Sequence, residues 1–87
     1  MGPAVNEYTT RKGLTISVGD VFRDRRDSNT RWLRVDRIEP ENDTARAYLT
    51  VIRQEYDGAV TEPMRQTDTA IERLASRDFL PVPGVNR

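Results

Sequence analysis

The chain has 87 residues with no cysteine and no histidine, which excludes disulfides, zinc sites built from those ligands, and Ser-His-Asp or Cys-His catalysis. Fourteen Arg/Lys balance fourteen Asp/Glu, and thirteen of the fourteen basic residues are arginine, so the chain lacks the overall positive charge usual in a dedicated nucleic-acid binder. A chain of this length makes one domain and buries only about 60–65% of its unfolded surface, so its core must be compact.

Residues 1–12 are polar, contain Gly2 and Pro3, and read as a flexible lead-in. Leu14, Ile16 and Val18 alternate with Thr15 and Ser17, the period-two signature of a half-buried strand. Gly19-Asp20 is a bend or bulge, after which Val21-Phe22 restarts the strand. Asp27-Ser28-Asn29-Thr30 carries turn chemistry, since short polar side chains bond the local backbone. Trp32 to Ile38 is the next strand. Leu33 and Val35 share a face, whereas Ile38 is out of phase with them, which calls for a bulge near Asp36. Glu39-Pro40-Glu41-Asn42-Asp43 reads as a loop.

Ala45, Ala47, Leu49 and Val51 alternate with Arg46, Tyr48, Thr50 and Ile52, the cleanest strand pattern in the chain. Asp57-Gly58 is a hairpin turn signal because both residues tolerate positive φ. A fourth strand falls within Val60–Ile71, with Pro63 at an edge or in the loop before it. Ile71 to Ala75 is long enough for one helical turn only. Phe79-Leu80-Pro81-Val82 is a short last strand, and residues 83–87 are a tail.

Five short strands with one helical turn before the last is the order of an SH3-like barrel, an all-β fold spanning residues 13–82. The expected core is Leu14, Ile16, Val18, Val21, Leu33 and Val35 from the first half. Ala47, Leu49, Val51, Ile71, Leu74 and Phe79 complete it. Apolar runs stay well short of the roughly 18 residues needed to cross a bilayer. No basic-then-apolar leader opens the chain. Asn6 stands where a myristoylation signal needs Ser or Thr. The expectation is a soluble cytoplasmic protein with no membrane partner.

Gly19-Asp20-Val21-Phe22-Arg23-Asp24, followed by Arg31-Trp32-Leu33-Arg34-Val35-Asp36-Arg37, resembles a pattern found in small actinobacterial and actinobacteriophage proteins of unknown function. Thr69-Ala70-Ile71 with Leu74 and Phe79 is similar to the later part of that pattern. The resemblance spans roughly residues 16–82. It implies a phage or actinobacterial source and a small barrel, with a host component as partner if the source is a phage. It implies no catalytic residues.

Charge is unevenly spread. Residues 11–37 carry eight basic against four acidic residues, a net +4, and residues 38–87 carry six against nine, a net −3. Such asymmetry marks an anionic partner or is neutralised between strands. Arg23, Arg25, Arg26, Arg31, Arg34 and Arg37 lie on or near one hairpin, where they would follow a phosphate backbone, with Trp32, Tyr48 or Phe22 stacking on bases. Interleaved Asp20, Asp24, Asp27 and Asp36 would repel that ligand. Asp20, Asp24 and Asp27 match no calcium-loop spacing, and the neighbouring arginines Arg23, Arg25 and Arg26 are their expected partners. Glu39 and Glu41, in a surface loop, need no catalytic role.

Trp32 is the only tryptophan and sits opposite Leu33 in the pleat. If Leu33 points in, Trp32 points out, where it anchors an interface, covers the barrel's open end or packs on an arginine stem. An aromatic cage of Trp32, Tyr48 and Tyr56 is a further arrangement for a cationic ligand. The reading that fits best is a non-catalytic module without cofactor or metal, binding a protein partner through Trp32, Arg34, Tyr48, Arg25 and Arg26. Nucleic-acid binding by the same hairpin comes second. A structural protein that oligomerises through its sheet edges comes third.

Overall fold

The computed structural model describes residues 4–25 and 29–83, with the side chain of Arg25 outside the described set. Eight strands occupy these residues: β1 (Glu7–Thr9), β2 (Thr15–Ser17), β3 (Val21–Arg25), β4 (Asn29–Glu41), β5 (Thr44–Tyr56), β6 (Ala59–Thr61), β7 (Arg65–Ala70) and β8 (Phe79–Val82). One 3-10 turn, Ile71–Ala75, stands between β7 and β8. β1 and β2 form a hairpin of their own. The main sheet runs β6-β5-β4-β3-β8, and β7 pairs with β5 beyond β6. All described pairings are antiparallel, and the sheet curls into a half-barrel. The expected class therefore holds: a small all-β barrel fold with one helical turn before the last strand. Among the described residues no helix is long and apolar enough to cross a membrane.

Eight strands replace the expected five for local reasons. Gly19, at φ +100°, turns the chain between β2 and β3, a conformation that favours glycine. Asp20 fixes the bend by accepting the Ser17 N–H at 2.8 Å, while Gly19 donates to the Val35 carbonyl at 2.8 Å. The Val60–Ile71 stretch divides into β6 and β7 around Pro63 and Met64, the latter at φ +52°. The third addition, β1, comes from the expected lead-in. Its register sets Glu7 opposite Ser17 and Thr9 opposite Thr15. Val5 N–H donates to the Ile38 carbonyl at 3.0 Å, and Arg11 N–H donates to the Glu72 carboxylate at 3.2 Å. The segment is thus bonded to β2, to β4 and to the 3-10 turn.

The bulge near Asp36 is present. Val35 pairs with Leu49 and Arg37 with Tyr48, so Asp36 is the extra residue and Ile38 returns to the core side. The loop expected at residues 39–43 shrinks to a turn at Asn42-Asp43, with Asn42 at φ +50°. Pro40 is therefore inside β4, opposite Ala45. It is tolerated because β3 pairs with β4 only as far as Arg34. The Ile38 carbonyl points to Val5, away from β5, so the Pro40 nitrogen two residues on faces that same side and breaks no ladder bond.

The core comprises Ile16, Phe22, Leu33, Val35, Ile38, Ala45, Ala47, Leu49, Val51, Ile71 and Leu74, with Val5, Tyr8, Leu14 and Phe79 packed on its margin. Val18 leaves the expected set: it follows the end of β2, in the turn, and is 40% exposed. Phe22 enters it at 1% exposure, which removes it as a base-stacking residue. Val21, on the opposite side of the strand, is 3% exposed yet lies outside this core cluster. It belongs to the outer face.

Candidate partner-binding groove

Leu33 and Val35 point into the core, so Trp32 and Arg34 project from the outer face of β4. Side chains directly opposite in an antiparallel sheet share a face. Trp32 is paired with Arg23 on β3 and Arg53 on β5, and Arg34 with Val21 and Thr50. β8 adds Leu80 beside Arg23 and Val82 beside Val21. Two rows result: Leu80-Arg23-Trp32-Arg53, and next to it Val82-Val21-Arg34-Thr50.

A second bulge completes the surface. Trp32 pairs with Arg53 but Leu33 pairs with Val51, so Ile52 is the extra residue in β5. Ile52 faces outward by alternation with buried Val51, and the bulge turns Arg53 to that same outer face beside Trp32. There Val21, Trp32, Ile52, Met64 and Val82 line a groove of about 470 Å³, with Arg34, Arg53 and Glu62 as its charged members. That volume lies in the range of small-ligand and side-chain pockets. The Arg53 guanidinium covers the Trp32 ring at 4.8 Å from its centroid.

Most arginines on the long strands are already neutralised. Arg31 donates to Asp24, a carboxylate that is 3% exposed. Arg34 donates to Asp36 at 2.8 Å, and buried Thr50 donates its hydroxyl to the other Asp36 oxygen. Arg37 pairs with Glu39 and lies 5.0 Å from the Tyr48 ring centroid. Arg46 reaches Glu41 at 3.4 Å and Asp68 at 3.8 Å. Three of these four arginines lie in the basic segment, and two of those three pair within it. Neutralisation is thus largely local, and the interleaved acids serve it. Asp20 instead holds the backbone of Ser17.

Arg23 and Arg53 differ. Neither has a carboxylate partner among the described residues, and the buried Nε of Arg23 has no hydrogen-bond partner. They flank Trp32 on its two sides.

The structure brings Trp32 and Arg34 together. Tyr48 lies one row further along the same face, against Arg37, and does not line the groove. Tyr56, 57% exposed, sits at the end of β5, so the groove is not a cage of Trp32, Tyr48 and Tyr56. Arg26 and the side chain of Arg25 lie outside the described residues, as does Asp27. Sequence reasoning missed Arg53, Ile52, Met64, Glu62 and Val82. One signal was available: Val51-Ile52 and Val21-Phe22 are adjacent apolar pairs, and each pair must place one member on the outer face.

The concave side of the sheet has a smaller cleft of about 150 Å³, where Arg31, Arg73, Thr67 and Thr69 surround Leu33 and Leu49. Arg31 is committed there to Asp24. No protein-family model, curated protein or solved structure matches the chain. Fold and groove define a small all-β protein with an apolar, arginine-flanked groove on the outer face of its sheet.

Proposed function

We propose that the protein is a non-catalytic binding module that engages another protein through the groove centred on Trp32. The observation that carries this reading is the apolar lining. An antiparallel sheet with one face on the core normally presents polar residues on the other. Here Val21, Trp32, Ile52, Met64 and Val82 gather on that other face. Large aromatic side chains in such a setting are the usual anchors of protein interfaces.

A nucleic-acid reading has less support. Arg31, Arg34 and Arg37 of the basic hairpin already carry carboxylate partners, and Glu62 lies in the groove itself.

The test is affinity capture from lysate with and without nuclease treatment, comparing the wild-type chain with Trp32→Ala after both are shown to be folded. A protein retained by the wild type and lost by the variant supports the reading. Equal retention by both sinks it, and retention that disappears with nuclease points to nucleic acid. Light scattering of the pure protein separates partner binding from self-assembly.

A further inference from the structure

We infer that the occupant of the groove is an extended protein segment carrying one carboxylate beside an apolar side chain. The apolar group packs among Trp32, Ile52 and Met64, and Arg23 and Arg53 take the carboxylate. The inference rests on the groove being the binding site and adds the chemistry of what fills it.

The contrast among the arginines carries the argument. Of the described arginine side chains on β3, β4 and β5, Arg31, Arg34, Arg37 and Arg46 each hold a carboxylate of the chain itself. Arg23 and Arg53 hold none, and both stand directly opposite Trp32. The Arg53 guanidinium lies over the indole ring, 4.8 Å from its centroid. No ion pair among the described residues engages the Arg53 guanidinium, which leaves its N–H donors for a carboxylate. Arg23 stands beside Trp32 just outside the groove lining and is partly exposed; its Nε is buried beyond a ligand's reach, so its terminal N–H groups are what it offers a carboxylate.

Glu62 sets the limit. It lines the groove, and the β5–β6 register, with Gln54 opposite Thr61, places it next in line to Arg53. No ion pair joins them. A single carboxylate between Arg23 and Arg53 is favoured there, whereas a run of acids meets repulsion from Glu62. An apolar groove with one acid among its charged members also suits a peptide better than a phosphate backbone.

The test is selection of a tryptophan-free random heptapeptide library on the wild-type chain, followed by titration of chosen peptides. Trp32 is the sole tryptophan, so its emission reads occupancy directly. Selected sequences should pair Leu, Ile, Phe or Met with a single Asp or Glu within two residues. Replacing that Glu by Gln in the peptide should weaken binding about tenfold, as expected for loss of a charge-assisted hydrogen bond. The Arg23→Gln/Arg53→Gln variant should lose the acid preference while still binding the Gln peptide. Glu62→Gln should relax the restriction to one acid.

Peptides enriched without an acid, no enrichment at all, or an acid preference retained by Arg23→Gln/Arg53→Gln would overturn the inference. Enrichment without an acid would leave the groove itself standing. If calorimetry, which needs no tryptophan, shows the selected peptides binding folded Trp32→Ala equally well, the groove reading falls with it. A mixed-sequence single-stranded oligonucleotide that shifts Trp32 emission at low salt more strongly than the peptides would replace both with nucleic-acid binding.

Discussion

The guanidinium of Arg53 lies 4.8 Å from the centre of the Trp32 ring, across a ladder position where β4 and β5 place the two residues directly opposite. This contact holds the indole on the outer face and gives the only tryptophan a charged neighbour. Arg53→Ala removes that neighbour without touching the core. The expected result is a shift in Trp32 emission and a loss of about 0.5–1 kcal/mol, the magnitude of an exposed cation–π pair. Urea denaturation followed by fluorescence and by circular dichroism measures both.

Phe22 and Trp32 lie on opposite faces of neighbouring strands and should respond oppositely to truncation. Phe22 is 1% exposed within the core. Phe22→Ala is expected to cost about 3–5 kcal/mol and leave little folded protein. Trp32→Ala should remain folded and lose partner binding. Thermal melts of the two variants decide this, and the assignment of faces fails if Trp32→Ala is the one that unfolds.

Asp24 is a buried carboxylate held by Arg31. Asp24→Asn leaves a half-buried guanidinium without its countercharge, and breaking such a pair typically costs about 3 kcal/mol or more. The double variant Asp24→Asn/Arg31→Met should recover part of that loss, since Arg31 no longer carries an uncompensated charge. A double-mutant cycle in urea gives the coupling, and additive losses would show that the pair contributes nothing.

Asp36 restrains Arg34 at the edge of the groove. In Asp36→Asn the Thr50 hydroxyl still finds an oxygen acceptor, but Arg34 loses its countercharge. Affinity for an acidic peptide in the groove should rise about two- to fivefold, the equivalent of one exposed charge pair. Titration by Trp32 emission measures it, and unchanged affinity would show that Arg34 does not sense the bound carboxylate.

Much of the fold was legible because period-two alternation is a direct image of the pleat. Ile38 out of phase with Val35 disclosed the bulge at Asp36, and Asp57-Gly58 disclosed its hairpin turn, with φ of +52° and +84°. The bulge at Ile52 was hidden because its cause lies in pairing, not in local composition. Glu7–Thr9 was hidden for a similar reason: three residues of weak pattern become a strand only when β2 is there to receive them. In the groove, Trp32 and Arg34 followed from alternation with Leu33 and Val35. Arg53, Met64 and Val82 did not, since only the fold brings them beside Trp32. The ion pairs follow the same division. Arg34 with Asp36 and Arg37 with Glu39 are two residues apart, whereas Arg31 finds Asp24 across the β3–β4 pairing.

The groove takes its walls from β3, β4, β5, β8 and the β6–β7 connection, stretches of chain that meet only when the half-barrel is complete. A form in which the main sheet is disrupted does not present it whole. Occupancy and global folding are therefore thermodynamically linked: a ligand at a hundred times its Kd adds about 2.7 kcal/mol to the stability of the chain. For a domain with so small a core, a ligand bound in the groove would be a substantial share of what keeps the protein folded.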